Sequence, residues 1–188
     1  MGARDIEINS RRAFLAQGVL GGVLGFSRTL RAQLSVVLGY RPLSQPVLVP
    51  LDAMSVPWRA RLFTAEAVTL PSAATPNQPI RVSGMIVRTA AGDRPDQFSA
   101  VCVRCPHELC DVDYVDDPKR LPQDVVSKIG RPVTEPVYLC PCHNSTFKVD
   151  GDRLAGPAPR GLYRFRVTAV SAASVEIAQV EEDVLIFV

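Results

Sequence analysis

From residue 80 onwards, the chain shows apolar residues spaced for β-strands. Residues 80–87 alternate in part between apolar and polar side chains, and residues 163–167 alternate cleanly. Short apolar runs bounded by turn residues predict further strands, at residues 98–103, 137–139, 146–149, 174–178 and 184–188. Residues 58–70 carry a weaker pattern, which we interpret as a strand that enters this region. The 16 prolines also favour a loop-rich, all-β architecture with antiparallel strands.

The first 40 residues predict an export signal or a membrane anchor. Residues 13–26 form an uncharged apolar run, which is shorter than the roughly 20 residues that a membrane-spanning helix needs. Apolar residues resume at 32–40, after Arg28 and Arg31. The segment is either a signal that is removed after export or a retained, tilted anchor whose arginines reach the outer interface. No A-x-A cleavage site follows the apolar run, and this favours the anchor.

The residues before the apolar run resemble the twin-arginine export motif S-R-R-x-F-L, which is carried here by Ser10, Arg11, Arg12, Phe14 and Leu15. After the apolar segment, residues 41–57 contain four prolines and predict an extended neck. We therefore divide the chain into a signal and membrane anchor at residues 1–40, a neck at residues 41–57 and a head at residues 58–188.

Composition sets broad limits on function. With 188 residues, of which 47% are hydrophobic, the chain can form one domain with a substantial core and an N-terminal appendage. The net charge of +2, without a basic patch, argues against nucleic acid as a partner.

The candidate chemistry lies in two short loops, at residues 105–110 and 140–145. Both histidines and four of the five cysteines of the chain fall there. Cysteine and histidine ligands can hold zinc or an iron–sulfur cluster. Zinc sites usually pair like residues, as C-x-x-C and H-x-x-H, whereas each loop here brings one cysteine and one histidine, as C-x-H and C-x-x-H. This arrangement favours a [2Fe–2S] cluster with two sulfur ligands on one iron and two imidazoles on the other, and leaves zinc as the alternative.

The motifs C-P-H-x-x-C and C-P-C-H-x-S, together with a downstream G-P-A-P-x-x-L, resemble those of high-potential Rieske iron–sulfur proteins over residues 101–162. The resemblance implies a Rieske-type antiparallel β-sandwich with a cluster-binding subdomain. It also implies that Cys105 and Cys140 bind one iron and that His107 and His143 bind the other. The remaining cysteines of the loops, Cys110 and Cys142, would form a disulfide.

The resemblance extends to residues around the cofactor. Ser145 matches a serine whose hydroxyl donates to a bridging sulfide. Phe147 stands where the family often has a tyrosine that donates to a ligand sulfur, so we expect a lower reduction potential. The segment that begins with Gly156, Pro157, Ala158 and Pro159 corresponds to the "Pro loop" that covers the cluster in quinol-oxidising complexes.

Taken further, the resemblance implies the Rieske subunit of a cytochrome bc-type complex. Such a subunit accepts an electron and a proton from quinol at His143 and passes the electron to a c-type cytochrome. Its partners would be a cytochrome b-type subunit and a c-type cytochrome, in a multisubunit complex that could be dimeric. A cluster beside a disulfide implies export of the folded protein to the outer face of a bacterial cytoplasmic membrane.

Two other functions remain open. One is the small Rieske subunit of a periplasmic molybdenum enzyme such as arsenite oxidase. The other is a zinc-stabilised β domain for protein interaction.

Between the loops, residues 111–139 form an insertion whose first part is acidic, and this part is either a docking patch or a solvated loop. Cys102, the fifth cysteine, is predicted to be a buried structural thiol.

Overall fold

A computed structural model describes residues 39–68 and 79–182. Six antiparallel strands close into a barrel in the order β1-β10-β9-β4-β3-β2. These strands are β1 (Tyr40–Pro50), β2 (Ala60–Val68), β3 (Pro79–Arg88), β4 (Phe98–Cys102), β9 (Arg164–Val170) and β10 (Ser174–Glu181). The prediction of an all-β fold is confirmed, and the larger sheet is a closed barrel.

The barrel is filled by apolar residues from all of its strands. Phe63 on β2 and Phe165 on β9 meet edge to face, with their ring centroids 4.9 Å apart. Gly84 lies opposite Phe63 in the β2–β3 ladder, and a Cβ there would come within 2.3 Å of the Phe63 ring. A glycine at this position therefore lets the large ring lie inside the barrel. Cys102 ends β4 inside the core, as predicted, and burial raises the pKa of its thiol to about 11.

The predicted neck overlaps the first strand of the barrel. The segment is extended, as its prolines predict, and it pairs with β10 along most of its length and with β2 at Leu43. The β1–β10 register shifts between Pro42 and Val47, a stretch that includes Pro46. Proline lacks the N–H that a regular ladder needs, so an irregularity at this point lets a proline-rich strand complete the barrel.

A second, smaller sheet carries the two loops. Its four strands follow one another as β5 (Asp113–Val115), β6 (Val137–Leu139), β7 (Thr146–Lys148) and β8 (Arg153–Ala155). Each strand has only three residues. The predicted insertion supplies β5 and one short helix, α1 (Gln123–Ile129), which ends at Gly130 with φ +70°. The helix packs Val125 against Leu121 and Val137, which form a small core of their own.

Some predicted segments lie outside the described residues. They include nearly all of the export signal and anchor, and the last predicted strand at residues 184–188. Within residues 39–68 and 79–182, no helix has both the length and the apolar character needed to span a membrane.

The acidic start of the insertion is partly neutralised, because Asp111 pairs with Arg104 at 3.3 Å and Asp116 pairs with Arg120.

Candidate metal centre

The two predicted loops have the same backbone structure. The first follows β4, and the second connects β6 to β7. In each loop the backbone amide of the first cysteine donates a 2.8 Å hydrogen bond to the carbonyl five residues later. The carbonyl of the same cysteine accepts a 3.0 Å hydrogen bond from the amide four residues later. That fourth position has φ +60° in both loops, at Leu109 and at Asn144. Two unlike sequences therefore make one type of tight turn around a first cysteine, Cys105 or Cys140.

A disulfide joins the two loops. Cys110 and Cys142 are bonded, with their Cα atoms 6.6 Å apart. The sulfur of Cys140 lies within 4.8 Å of both disulfide sulfurs. The cross-link closes a sequence separation of 32 residues and keeps the loops side by side. Because these two thiols are oxidised, they are not available as metal ligands.

The other two loop cysteines are buried and close together. Cys105 is 0% exposed and Cys140 is 2% exposed. Burial raises the pKa of the Cys105 thiol; a hydrogen bond from the His107 backbone lowers it, and contact with the Cys140 thiol raises it again. A smaller lowering comes from the Ser145 side chain. Two thiols that face each other in a buried site are a suitable pair of ligands for one metal ion.

The two histidines lie together at the surface end of the loops. The rings of His107 and His143 are 4.9 Å apart between centroids and almost perpendicular, at 87°. The side chain of His143 is 46% exposed. The structure thus brings the two predicted thiol ligands together in the interior and the two predicted imidazole ligands together nearer the surface, on the same two loops. This unequal donor set fits a [2Fe–2S] cluster with sulfur on one iron and nitrogen on the other.

Ser145 and the Pro loop (residues 156–162) lie against the second loop. Ser145 is fully buried, and its Oγ accepts a hydrogen bond from the Ala158 amide at 3.0 Å. Gly156, with φ +95°, approaches so closely that a Cβ there would lie 2.4 Å from the Ser145 Cα. Only glycine fits this position, because both the backbone conformation and the contact exclude a side chain. The two prolines of the Pro loop, Pro157 and Pro159, are exposed.

Phe147 is fully buried on β7, opposite Tyr138 on β6. It belongs to the same apolar cluster as Cys105 and Cys140. The side chain at this position therefore shares an apolar cluster with the two candidate sulfur ligands and has no hydroxyl to donate to them.

Two carboxylates beside the second loop were not predicted. The Glu108 Oε2 atom lies 3.6 Å from His143 Nδ1. Asp124, on α1, accepts a hydrogen bond from the Asn144 side chain at 3.3 Å. Glu108 could have been suspected, because it follows His107 directly. Asp124 could not, because it is 20 residues from Asn144 and lies in an insertion with no recognisable motif.

Comparison with known proteins places the chain in a family. Residues 67–170 match the family described as "Rieske [2Fe-2S] domain". No curated protein matches the chain. Among solved structures, one similar to the chain is that of the cyanobacterial plasma membrane Rieske protein PetC3 from Synechocystis PCC 6803, with 21% sequence identity and a TM-score of 0.39. The match covers 70% of this chain and 97% of that one. The family match spans more than half of the sequence and includes both loops, so this chain belongs to the Rieske proteins, which carry a [2Fe–2S] cluster and transfer electrons.

Proposed function

We propose that this chain is the Rieske subunit of a cytochrome bc-type quinol:cytochrome c oxidoreductase. It would accept an electron, coupled to a proton, from quinol beside a cytochrome b-type subunit and pass the electron to a c-type cytochrome. The observation that carries the proposal is the position of His143. Its ring is exposed at the end of the second loop, where a quinol can reach it, while the Pro loop packs against the same loop at Ser145.

We assign Cys105 and Cys140 as ligands of one iron and His107 and His143 as ligands of the other. The burial of the thiols and the surface position of the imidazoles support this assignment. When bound, such a cluster supplies a one-electron acceptor with a potential of roughly −150 to +300 mV, against about −400 mV for all-cysteine plant-type clusters.

The residues of the chain would bind and orient the quinol at this surface. His143 can take a proton on the ring nitrogen that does not bind iron. Glu108, beside it, offers a carboxylate oxygen that can accept a hydrogen bond from a quinol hydroxyl. The backbone turns of both loops and the disulfide hold His107 and His143 in fixed positions, so little reorganisation is needed when the quinol docks.

We further propose that residues 1–40 direct export by the twin-arginine route and anchor the head to the outer face of a bacterial cytoplasmic membrane. The disulfide supports this location, because disulfides persist in oxidising compartments. Folding before export also suits a protein whose cluster is inserted in the cytoplasm.

The test is to purify the intact protein from membranes and identify what copurifies. We expect b-type haem and a c-type cytochrome, and we expect added quinol to reduce the cluster and then the cytochrome. A Cys140→Ser variant serves as the control, because it should lose the cluster and the quinol-dependent reduction. Recovery of a molybdenum-containing subunit without b-type haem would instead favour a molybdenum enzyme. A colourless protein that contains only zinc would exclude both.

A further inference from the structure

The Pro loop is attached to the rest of the head at several points along its length. At its start, the Arg153 side chain donates to the Gly156 carbonyl. In its middle, the Ala158 amide donates to Ser145 Oγ. At its end, the Leu162 amide donates to the Gly151 carbonyl at 2.8 Å. Only the middle contact reaches a side chain that lies beside a candidate ligand.

Arg160 connects this loop to the barrel. Its guanidinium lies 2.7 Å from Oε2 of Glu181, at the end of β10, and 4.0 Å from the ring centroid of Tyr163. The Glu181 side chain is only 2% exposed, so its charge must be compensated by the arginines around it. Arg164 on β9 also approaches Glu181, at 3.4 Å. Of these two arginines, only Arg160 belongs to the Pro loop.

The contact from Ala158 limits where the Ser145 hydroxyl can point. A hydroxyl has one proton to donate and two lone pairs that accept. The Ala158 N–H occupies the acceptor side of Ser145 Oγ, so the serine proton is directed away from the Pro loop. The Ser145 side chain also forms a hydrogen bond with the buried thiol of Cys105. The Pro loop therefore orients a hydrogen-bond donor towards the metal centre.

We propose that the Arg160–Glu181 ion pair sets the reduction potential of the cluster by holding Ala158 against Ser145. The proposal rests on the assignment of Ser145 as a hydrogen-bond donor to the cluster or its sulfur ligand. Such a bond stabilises the reduced, more negative state. If the ion pair is lost, the Pro loop is released at Ala158, the serine hydroxyl is free to rotate, and the potential falls. Arg160 and Glu181 are thus positioning residues, because they act through Ser145.

The first experiment compares Arg160→Gln with Arg164→Gln in the purified full-length protein with its cluster. Both variants remove one positive charge next to Glu181, but only Arg160 is a residue of the Pro loop, whereas Arg164 also donates to the Asp150 carbonyl and to Asp152 in the turn after β7. We expect Arg160→Gln to release the loop at Ala158. For Arg160→Gln we expect a roughly three- to tenfold higher ratio of oxidised to reduced protein at the wild-type midpoint, as the loss of one hydrogen bond implies. Arg164→Gln should give a much smaller change. Arg160→Lys, which keeps the charge, should restore most of the wild-type potential. Equal shifts in Arg160→Gln and Arg164→Gln would overturn the proposal.

The second experiment separates an effect through Ser145 from a direct effect of charge. In a Ser145→Ala background, Arg160→Gln should cause little further change in potential, whereas a direct electrostatic effect would add in full. Amide hydrogen exchange at Ala158 should become faster in Arg160→Gln and remain unchanged in Arg164→Gln. Additive shifts in the double variant would contradict the proposal. A wild-type potential in Ser145→Ala alone would overturn both the assignment of Ser145 and the proposal that rests on it. None of these titrations uses quinol, so their outcome is independent of whether the protein oxidises it.

Discussion

The barrel and the small β5–β8 sheet are stabilised by different kinds of interaction. Barrel strands run from five to eleven residues and enclose a continuous apolar core. Strands of the small sheet have three residues each, which leaves few ladder hydrogen bonds. The small sheet is held together instead by a disulfide, by two matching backbone turns, and by the hydrogen bond that the Ala158 amide donates to Ser145 Oγ. A site that must hold metal ligands near the surface is therefore fixed by bonds between loops in addition to the apolar cluster beneath it.

Removal of the disulfide should have the largest effect, and it should be confined to the small sheet. For a Cys110→Ser/Cys142→Ser double variant we expect a loss of about 2–5 kcal/mol in the free energy of local unfolding of the small sheet. Amide hydrogen exchange should show faster exchange in β5–β8 and unchanged protection in the barrel.

A Cys102→Ala variant provides the matched control for this experiment, because it removes a cysteine from the barrel and leaves the disulfide intact. It should reduce protection in the barrel strands and not in β5–β8. Loss of protection in both regions together, in either variant, would show that the barrel and the small sheet unfold as one cooperative unit.

A Phe147→Tyr variant should have a moderate effect on the cluster and little effect on the fold. A hydroxyl at this position could donate to a ligand sulfur, and one hydrogen bond of about 1 kcal/mol corresponds to roughly 40 mV for a one-electron couple. We therefore expect a higher midpoint potential in a redox titration. Phe165→Tyr, the same change in the barrel core, should leave the potential unaltered. An unchanged or lower midpoint in Phe147→Tyr would refute our interpretation of Phe147.

The same division explains how far the sequence could be interpreted. The all-β class and the strand at residues 137–139 follow from local apolar patterns, and the strand has those bounds in the structure. The two loops could be found because their cysteines and histidines lie within six residues of one another in each loop. The resemblance implied the disulfide between Cys110 and Cys142, and the structure contains it.

What the sequence did not reveal depends on contacts between distant residues. The closure of the barrel by β1 was missed because its three prolines indicate an extended linker more readily than a strand. The ion pair between Arg160 and Glu181 spans 21 residues, and nothing in either local segment points to the other. The helix α1 is only seven residues long, too short for its periodicity to be distinguished from a loop.

The turns at Leu109 and Asn144 allow the finest comparison, because the same backbone conformation is occupied by two unlike residues. A left-handed conformation costs an L-residue about 1–2 kcal/mol, and asparagine tolerates it better than leucine does. Leu109 is 42% exposed, so little packing opposes its replacement. We expect Leu109→Gly to raise the stability of the small sheet by up to about 1 kcal/mol in denaturant unfolding. Asn144→Gly should raise the stability of the small sheet less, or lower it, because it also removes the hydrogen bond to Asp124.

An Asp124→Ala variant separates these two contributions to the second turn. It removes the hydrogen bond to Asn144 and leaves the backbone conformation of the turn as it is. In the Asp124→Ala background, the hydrogen bond to Asn144 is already absent. Asn144→Gly should then change the stability of the small sheet by about as much as Leu109→Gly does. If Leu109→Gly itself proves destabilising, the leucine side chain must contribute more than its exposure indicates. Packing of this exposed side chain would then stabilise the first loop, in addition to the disulfide and the buried cluster beneath the loops.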